Sequence, residues 1–245
     1  MYFTHADAVW EAHPGLRAAV IAVDGVLGIT ATRAYQDKLL PRIEERLAAG
    51  GESAMPEISA WREAFSAMGL KPTQYRCASE ALLRRYRKER SLPAFHPLVD
   101  YLNTVSMAFA VPVAVFDCDR VAEGITVRPA EGTEEYTTFQ GESEHPAPGE
   151  VVFTDAAGYA HSRRWTFRQS ARSVVGPHTE RVLIVAEALH PSAEADLTAL
   201  QQEITTVLGE CRVRVGATKL VRPTERRLEF FSPSASEESP SEERP

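Results

Sequence analysis

Cysteine is scarce in this chain: Cys77, Cys118 and Cys211 are the 3 among 245 residues. They lie far apart, at no metal-ligand spacing and in odd number, which predicts reduced thiols in a cytoplasmic protein. No apolar run approaches the roughly 20 residues needed to span a bilayer. The opening MYFTHADAVWEAHPG lacks a basic-then-apolar leader, so no membrane association is expected. His5, His13, His96, His145, His161, His178 and His190 are scattered, and none pairs with another at ligand spacing, so no metal site is predicted. GxGxxG, GxxxxGK, HExxH and GxSxG are all missing, which argues against dehydrogenases, nucleotide hydrolases, zinc hydrolases and serine esterases. No cofactor is expected. An enzyme that works through a positioned water and backbone donors survives these exclusions.

The composition is that of a soluble globular protein, 44% hydrophobic and 25% charged. The net charge of −7 does not suit a nonspecific nucleic-acid binder. The length suffices to bury a full core, and residues 1–231 read as a single domain. Residues 232–245, SPSASEESPSEERP, are poor in apolar residues and rich in Ser, Pro and Glu, and read as a disordered acidic tail.

The centre of the chain is 91–128. Leu98, Leu102, Val105, Met107 and Phe109 recur at three- and four-residue steps and predict a helix that Pro112 ends. Val113 to Phe116 read as a buried strand, and Ile125 and Val127 as a strand returning after Gly124, the three elements forming one core unit. Asp100, Asn103, Thr104 and Ser106 are polar residues within that helix. On the N-terminal side, 18–24 (AAVIAVD) reads as a strand. TRAYQDKLLPRIEERLAA reads as a helix interrupted or kinked at Pro41, and Pro56 to Met68 as a second helix. Ser79 to Arg90 reads as a third helix, with Ser79 at its cap. On the C-terminal side, strands are expected at 136–139, 150–154, 159–162, 182–185, 211–215 and 227–231, with a helix at 191–209 capped by Ser192.

Three local features invite a functional reading. Lys71, Arg76, Arg84, Arg85, Arg87, Lys88 and Arg90 face only Glu80 and Glu89 in their stretch, a local positive excess that attracts phosphate; the alternative is a solvated helix face. RRWTFRQSARS interleaves Trp165 and Phe167 with Arg163, Arg164, Arg168 and Arg172, and adds Gln169 and Ser170. That pattern suits stacking on a base with charge pairing to phosphate, or else an amphipathic strand with snorkelling arginines. Glu187 follows a strongly apolar strand, where a carboxylate needs a partner or a task, unless the strand end is exposed.

HPLVDYLNTVSMAFAVPVAVFDCDRVAEGITVRPAEGTEEYTTFQG resembles the tRNA-editing (B3/B4) domain of the phenylalanyl-tRNA synthetase beta chain. Val99, Asp100, Asn103, Pro112, Phe116, Asp117, Asp119, Ile125, Val127 and Arg128 carry the match. GEVVFTDAAG and VLIVAEAL resemble the next strand and turn and the closing strand, with Glu187 at the end of the latter. The segments RCASEALLRR and RRWTFRQS bring the chain closer still to free-standing editing-domain proteins. The resemblance is best over residues 70–190. It implies an α+β fold, a three-layer domain with a β-sandwich of unusual topology and flanking helices. It also implies hydrolysis of the ester of mischarged tRNA, with tRNA rather than DNA as partner. Where the family has a histidine in Gln-Pro-x-His-x-Phe-Asp, this chain has Ala114.

On that resemblance the expected catalytic residues are Asn103, Gln169 and Glu187. Ser106, Trp165, Arg168 and Glu187 are expected to bind the substrate, Trp165 and Arg168 by holding the terminal adenosine. Arg76, Arg84, Arg85, Lys88 and Arg164 are expected to meet tRNA phosphates. The competing expectations are a non-catalytic binder of tRNA or of a free amino acid or nucleotide in the same pocket, and an interaction domain that uses the basic face for a protein.

Overall fold

The computed structural model describes residues 1–231, so the expected acidic tail lies outside the described residues. The elements in order are β1 (Tyr2–His5), α1 (Asp7–Ala12), β2 (Arg17–Asp24), α2 (Arg33–Ala49), α3 (Pro56–Ala67), α4 (Ala78–Glu89), α5 (Pro97–Phe109), β3 (Val113–Asp117), β4 (Gly124–Pro129), β5 (Tyr136–Thr137), β6 (Ser143–Glu144), β7 (Val151–Thr154), β8 (Ala160–Arg163), β9 (Arg168–Gln169), β10 (Arg181–Ala188), α6 (Ala193–Glu210), β11 (Arg214–Val221) and β12 (Arg227–Glu229).

The continuously apolar runs of β2 and β10 place them in the middle of a four-stranded sheet, ordered β11-β2-β10-β3. Such runs need both faces covered. α5 and α6 cover one face. The other face meets a six-stranded sheet, ordered β12-β1-β4-β7-β8-β9. Aromatic side chains pack between the sheets: the Phe116 ring of β3 lies 5.5 Å from that of Phe153 in β7, which in turn lies 6.2 Å from Phe3 within its own sheet. The fold is therefore α+β in three layers, helices on a sheet on a second sheet. One core runs through all three, from Ile204 in α6 through Ile184 in β10 to Phe3 in β1.

Four sequence expectations change here. β3 and β4 do not form one unit, because β3 pairs with β10 and β4 with β1 and β7 in the opposite sheet. The turn at residues 118–123 carries the chain between layers. α5 ends before Pro112: Ala110 takes a left-handed conformation (φ 55°), and the Ser106 hydroxyl donates to the Val111 carbonyl at 2.7 Å. That bond, inside a fully buried helix end, occupies the Ser106 side chain. Ser79 is likewise not a cap. It lies within α4 and donates to the Ala110 carbonyl at 3.0 Å, tying the two helices together. α2 runs unbroken through Pro41.

Candidate functional site

β3, β10 and the β8–β9 hairpin enclose a cleft of about 450 Å³, its mouth included. Its walls are Pro112, Val113, Ala114, Phe116, Phe153, Phe167 and Val185, and its polar contributors are Ser162, Thr166, Arg168, Gln169 and Glu187. A small apolar cavity with a few converging polar groups is the usual form of a ligand site. Ala114, where the resembled family has histidine, is part of the wall.

Glu187 pairs with Ala18 of β2 near the end of β10, its N–H donates to the Pro112 carbonyl at 3.3 Å, and it is 1% exposed, so the strand end is not a free one. Its charge is met by two donors. Trp165 Nε1 donates to Oε2 at 2.9 Å, and His5 Nε2 lies 2.6 Å from Oε1. Because a carboxylate can only accept, the imidazole carries its proton on Nε2. Trp165 is therefore not a stacking platform for a base: it is completely buried, edge-on to Trp61 and His13 with centroids 4.9 Å away in both cases. It is turned inward by the hairpin, where Arg164 and Trp165 both adopt left-handed backbone (φ 47° and 59°). Two adjacent non-glycine residues in that region store strain, of order 1–2 kcal/mol each.

The other expected site residues divide. Arg168 lies at the rim of the cleft with its side chain exposed. Gln169 lines the cleft but also bridges the sheets, its Nε2 donating to the Val115 carbonyl at 2.7 Å. Asn103 is not in this cleft. It lines a separate groove of about 1200 Å³ between α2, α4 and α5, with Arg33, Gln36, Arg90 and Asp100. Ser106 is not in the cleft either.

The basic face is less basic than the local sequence suggests. Buried Glu52, remote in sequence, takes Arg84 at 3.5 Å and Arg87 at 3.2 Å. Arg76 pairs with Glu80, Arg85 with Glu89 at 2.9 Å and Arg90 with Glu44 at 2.7 Å. Among the described residues Lys88 has no such partner. Arg164 is different again: its guanidinium lies 4.8 Å from the Tyr75 ring centre and 5.9 Å from that of Phe167. The Tyr75 and Phe167 rings are themselves 5.3 Å apart, edge to face. Tyr75, Arg164 and Phe167, all partly exposed, form an arginine–aromatic cluster that reaches the cleft through Phe167. Phe167 was legible as part of the aromatic–arginine run; Tyr75 and His5 carried no local signal.

Two further clusters have a structural role. His161 lies between Ser173 (2.9 Å) and Asp155 (3.2 Å), an order reminiscent of a serine nucleophile, but Ser173 is completely buried and lines neither opening. Burial works to raise the Asp155 carboxyl, yet hydrogen bonds from His161 and the backbone of Ala122 and Tyr159 hold it below its usual value. Glu57, His190 and Asp196 bring ligand-type atoms within 4.8 Å of one another. Glu57, however, bonds Arg46 at 2.7 Å and Asp196 bonds His190 and Ser192, so these acids already have partners. No helix among the described residues is long and apolar enough to cross a membrane.

The N-terminal fragment of the phenylalanyl-tRNA synthetase beta-subunit from Pyrococcus horikoshii is similar to this chain in structure, with a TM-score of 0.48 and 10% sequence identity over 89% of this chain. The chain spans about half of that fragment, 53%. A search of curated protein sequences finds no significant match. The B3/4 domain family model matches residues 60–206, a segment that runs from α3 to α6 and includes every wall of the cleft. This chain belongs to the B3/4 domain family.

Proposed function

We propose that this chain deacylates mischarged tRNA in trans, with the amino-acid side chain in the apolar cleft and the terminal adenosine at its mouth. The observation that carries the reading is the cleft itself: apolar walls, a buried and fully oriented carboxylate at Glu187, and an exposed arginine, Arg168, at the rim. It is sized for an amino-acid side chain, with the charge needed to meet phosphate lying outside it.

An aminoacyl ester is already activated. Hydrolysis needs a water held against the carbonyl carbon and donors for the oxygen that becomes negative. The water's oxygen bonds to the carbonyl carbon, the bond to the ribose oxygen breaks, and the ribose oxygen takes a proton. The free amino acid leaves as its carboxylate, the second proton of the water passing to solvent. Thr166 lines the cleft, and its buried hydroxyl has no partner among the described residues, which leaves its hydrogen-bonding capacity to the water or the carbonyl of a bound ester. Gln169 spends its amide N–H on Val115 and keeps its carbonyl oxygen to orient a water. Glu187, with a donor on each oxygen, serves recognition rather than proton abstraction. Stacking of the base passes from Trp165 to Phe167 and Tyr75, with Arg164 and Arg168 toward phosphate. Asn103 and Ser106 take no part.

A panel of tRNAs carrying mismatched amino acids, assayed for ester hydrolysis, tests the reading; failure to deacylate any of them refutes it. A second reading is a non-catalytic binder. It is favoured by the same double engagement of Glu187 and by the absence of a nucleophile–base pair among the cleft residues. Salt-dependent tRNA binding without hydrolysis would establish it instead.

A further inference from the structure

Glu187 and its imidazole partner come from opposite layers of the sandwich and from opposite ends of the chain. His5 stands in β1, 182 residues away and outside the segment that the family model matches. It is 3% exposed. The Phe3 and Trp10 rings meet it edge-on, with centroids at 5.1 and 4.9 Å. Its Nδ1 has no hydrogen-bond partner among the described residues. Among the described residues, the bond to Glu187 is thus the one hydrogen bond of this buried ring. Burying an imidazole with one bare nitrogen costs stability, and an apolar ring would fill the same space without that cost.

The effect on Glu187 is geometric. A carboxylate has about four acceptor positions. His5 takes one on Oε1 and Trp165 one on Oε2, so turning the group in either direction breaks a bond. The remaining lone pairs belong to a residue that lines an apolar cleft. We propose that His5 is a positioning residue, which together with Trp165 fixes the Glu187 carboxylate so that it presents a free acceptor to a hydrogen-bond donor on the ligand's side chain. This rests on the reading of the cleft as an amino-acid pocket. His5 then governs which side chains the cleft prefers, those ending in a hydroxyl or amine over their apolar counterparts, rather than the rate of hydrolysis itself.

The test uses matched adenosine conjugates in which a non-hydrolysable amide replaces the ester: tyrosine against phenylalanine, and threonine against valine. Their affinities are measured by calorimetry for the wild type, His5→Leu and His5→Gln, alongside hydrolysis of the corresponding aminoacyl-tRNAs and the melting temperature of each variant. The wild type is expected to prefer the hydroxylated member of a pair. His5→Leu should reduce that preference about tenfold or more, the scale of one hydrogen bond to a charged group. His5→Gln, whose amide nitrogen reaches the place of Nε2, should restore most of it. If His5→Leu does not fold, His5→Asn, whose amide falls short of Glu187, replaces it. An unchanged preference in the variant overturns the proposal, as does an equal loss in His5→Gln or the binding of no conjugate at all. The expected preferences without any hydrolysis would leave the role of His5 standing and refute the deacylase reading alone.

Discussion

Replacing Glu187 with alanine should destabilise the fold measurably, although the residue carries a buried charge whose removal would by itself be favourable. The wild-type carboxylate is 1% exposed and receives Trp165 Nε1 at 2.9 Å and His5 Nε2 at 2.6 Å. Alanine strands both donors. An orphaned buried donor costs about 1–3 kcal/mol, against which the desolvation of the carboxylate is recovered. The vacated space opens on the cleft, so water can reach one of the stranded groups. The balance is a loss of about 2 kcal/mol, near the low end of the range for two donors. Glu187→Gln keeps a carbonyl oxygen for Trp165 and sets its NH₂ against His5, which can change tautomer and accept; that variant should lose about 1 kcal/mol or less. For a chain of this size 2 kcal/mol corresponds to a fall of roughly 4–8 °C in melting temperature. Urea unfolding of the three proteins, followed by fluorescence and circular dichroism, gives the comparison. Equal stability of wild type and Glu187→Ala, or equal loss in the Ala and Gln variants, would refute the account of a carboxylate held by two donors.

Arg164→Gly relieves a left-handed residue (φ 47°) and should raise stability by about 1 kcal/mol less whatever the contact with Tyr75 contributes, while weakening tRNA binding. Loss of both stability and binding would contradict the claim of strain held for function. Gly124→Ala should destabilise by about 2 kcal/mol or more, since its Cβ would lie 2.4 Å from the Tyr2 carbonyl oxygen at the start of the β1–β4 pairing. An unchanged thermal midpoint would show that β1 can shift at no cost. Burial works to raise Glu150, but the Arg163 side chain and the Arg164 N–H bond to it and hold it below the ordinary carboxylate value; Glu134 is held down in the same way by backbone N–H groups and Arg128. Carboxyls depressed in the fold add stability above the ordinary value and lose it as pH falls through the depressed one. The urea midpoint should therefore drop progressively below about pH 4.5, and Arg163→Met should flatten part of that slope. A midpoint independent of pH down to 3 would contradict it.

Much of the scaffold was legible because its signals are local. The apolar steps of α5, the continuous runs of β2 and β10 and the Pro56 start of α3 each lie within one element. Glu187 stood out for the same reason, as a carboxylate in an apolar strand. The layer to which β3 and β4 belong was not legible, because β3 finds its partner in β10, far along the chain, and β4 is seated beside β1 at the opposite end of it. Trp165 and Phe167 look alike in RRWTFRQS; only the left-handed turn sends the first inward and leaves the second at the rim. The arginines of α4 read as a local positive excess because Glu52 and Glu44, which take several of them, lie outside that stretch. Asn103 shares a helix with residues that face the core near β3 but looks into a different groove. His5 had no pattern around it at all.

Hydrolysis of mischarged tRNA by the purified chain tests the central claim most directly. Wild type should release the amino acid from at least one mischarged tRNA far faster than the spontaneous rate, and Thr166→Val or Arg168→Ala should slow that release without lowering the melting temperature. Release no faster than in buffer across the full panel, or a rate indifferent to both substitutions, would contradict it.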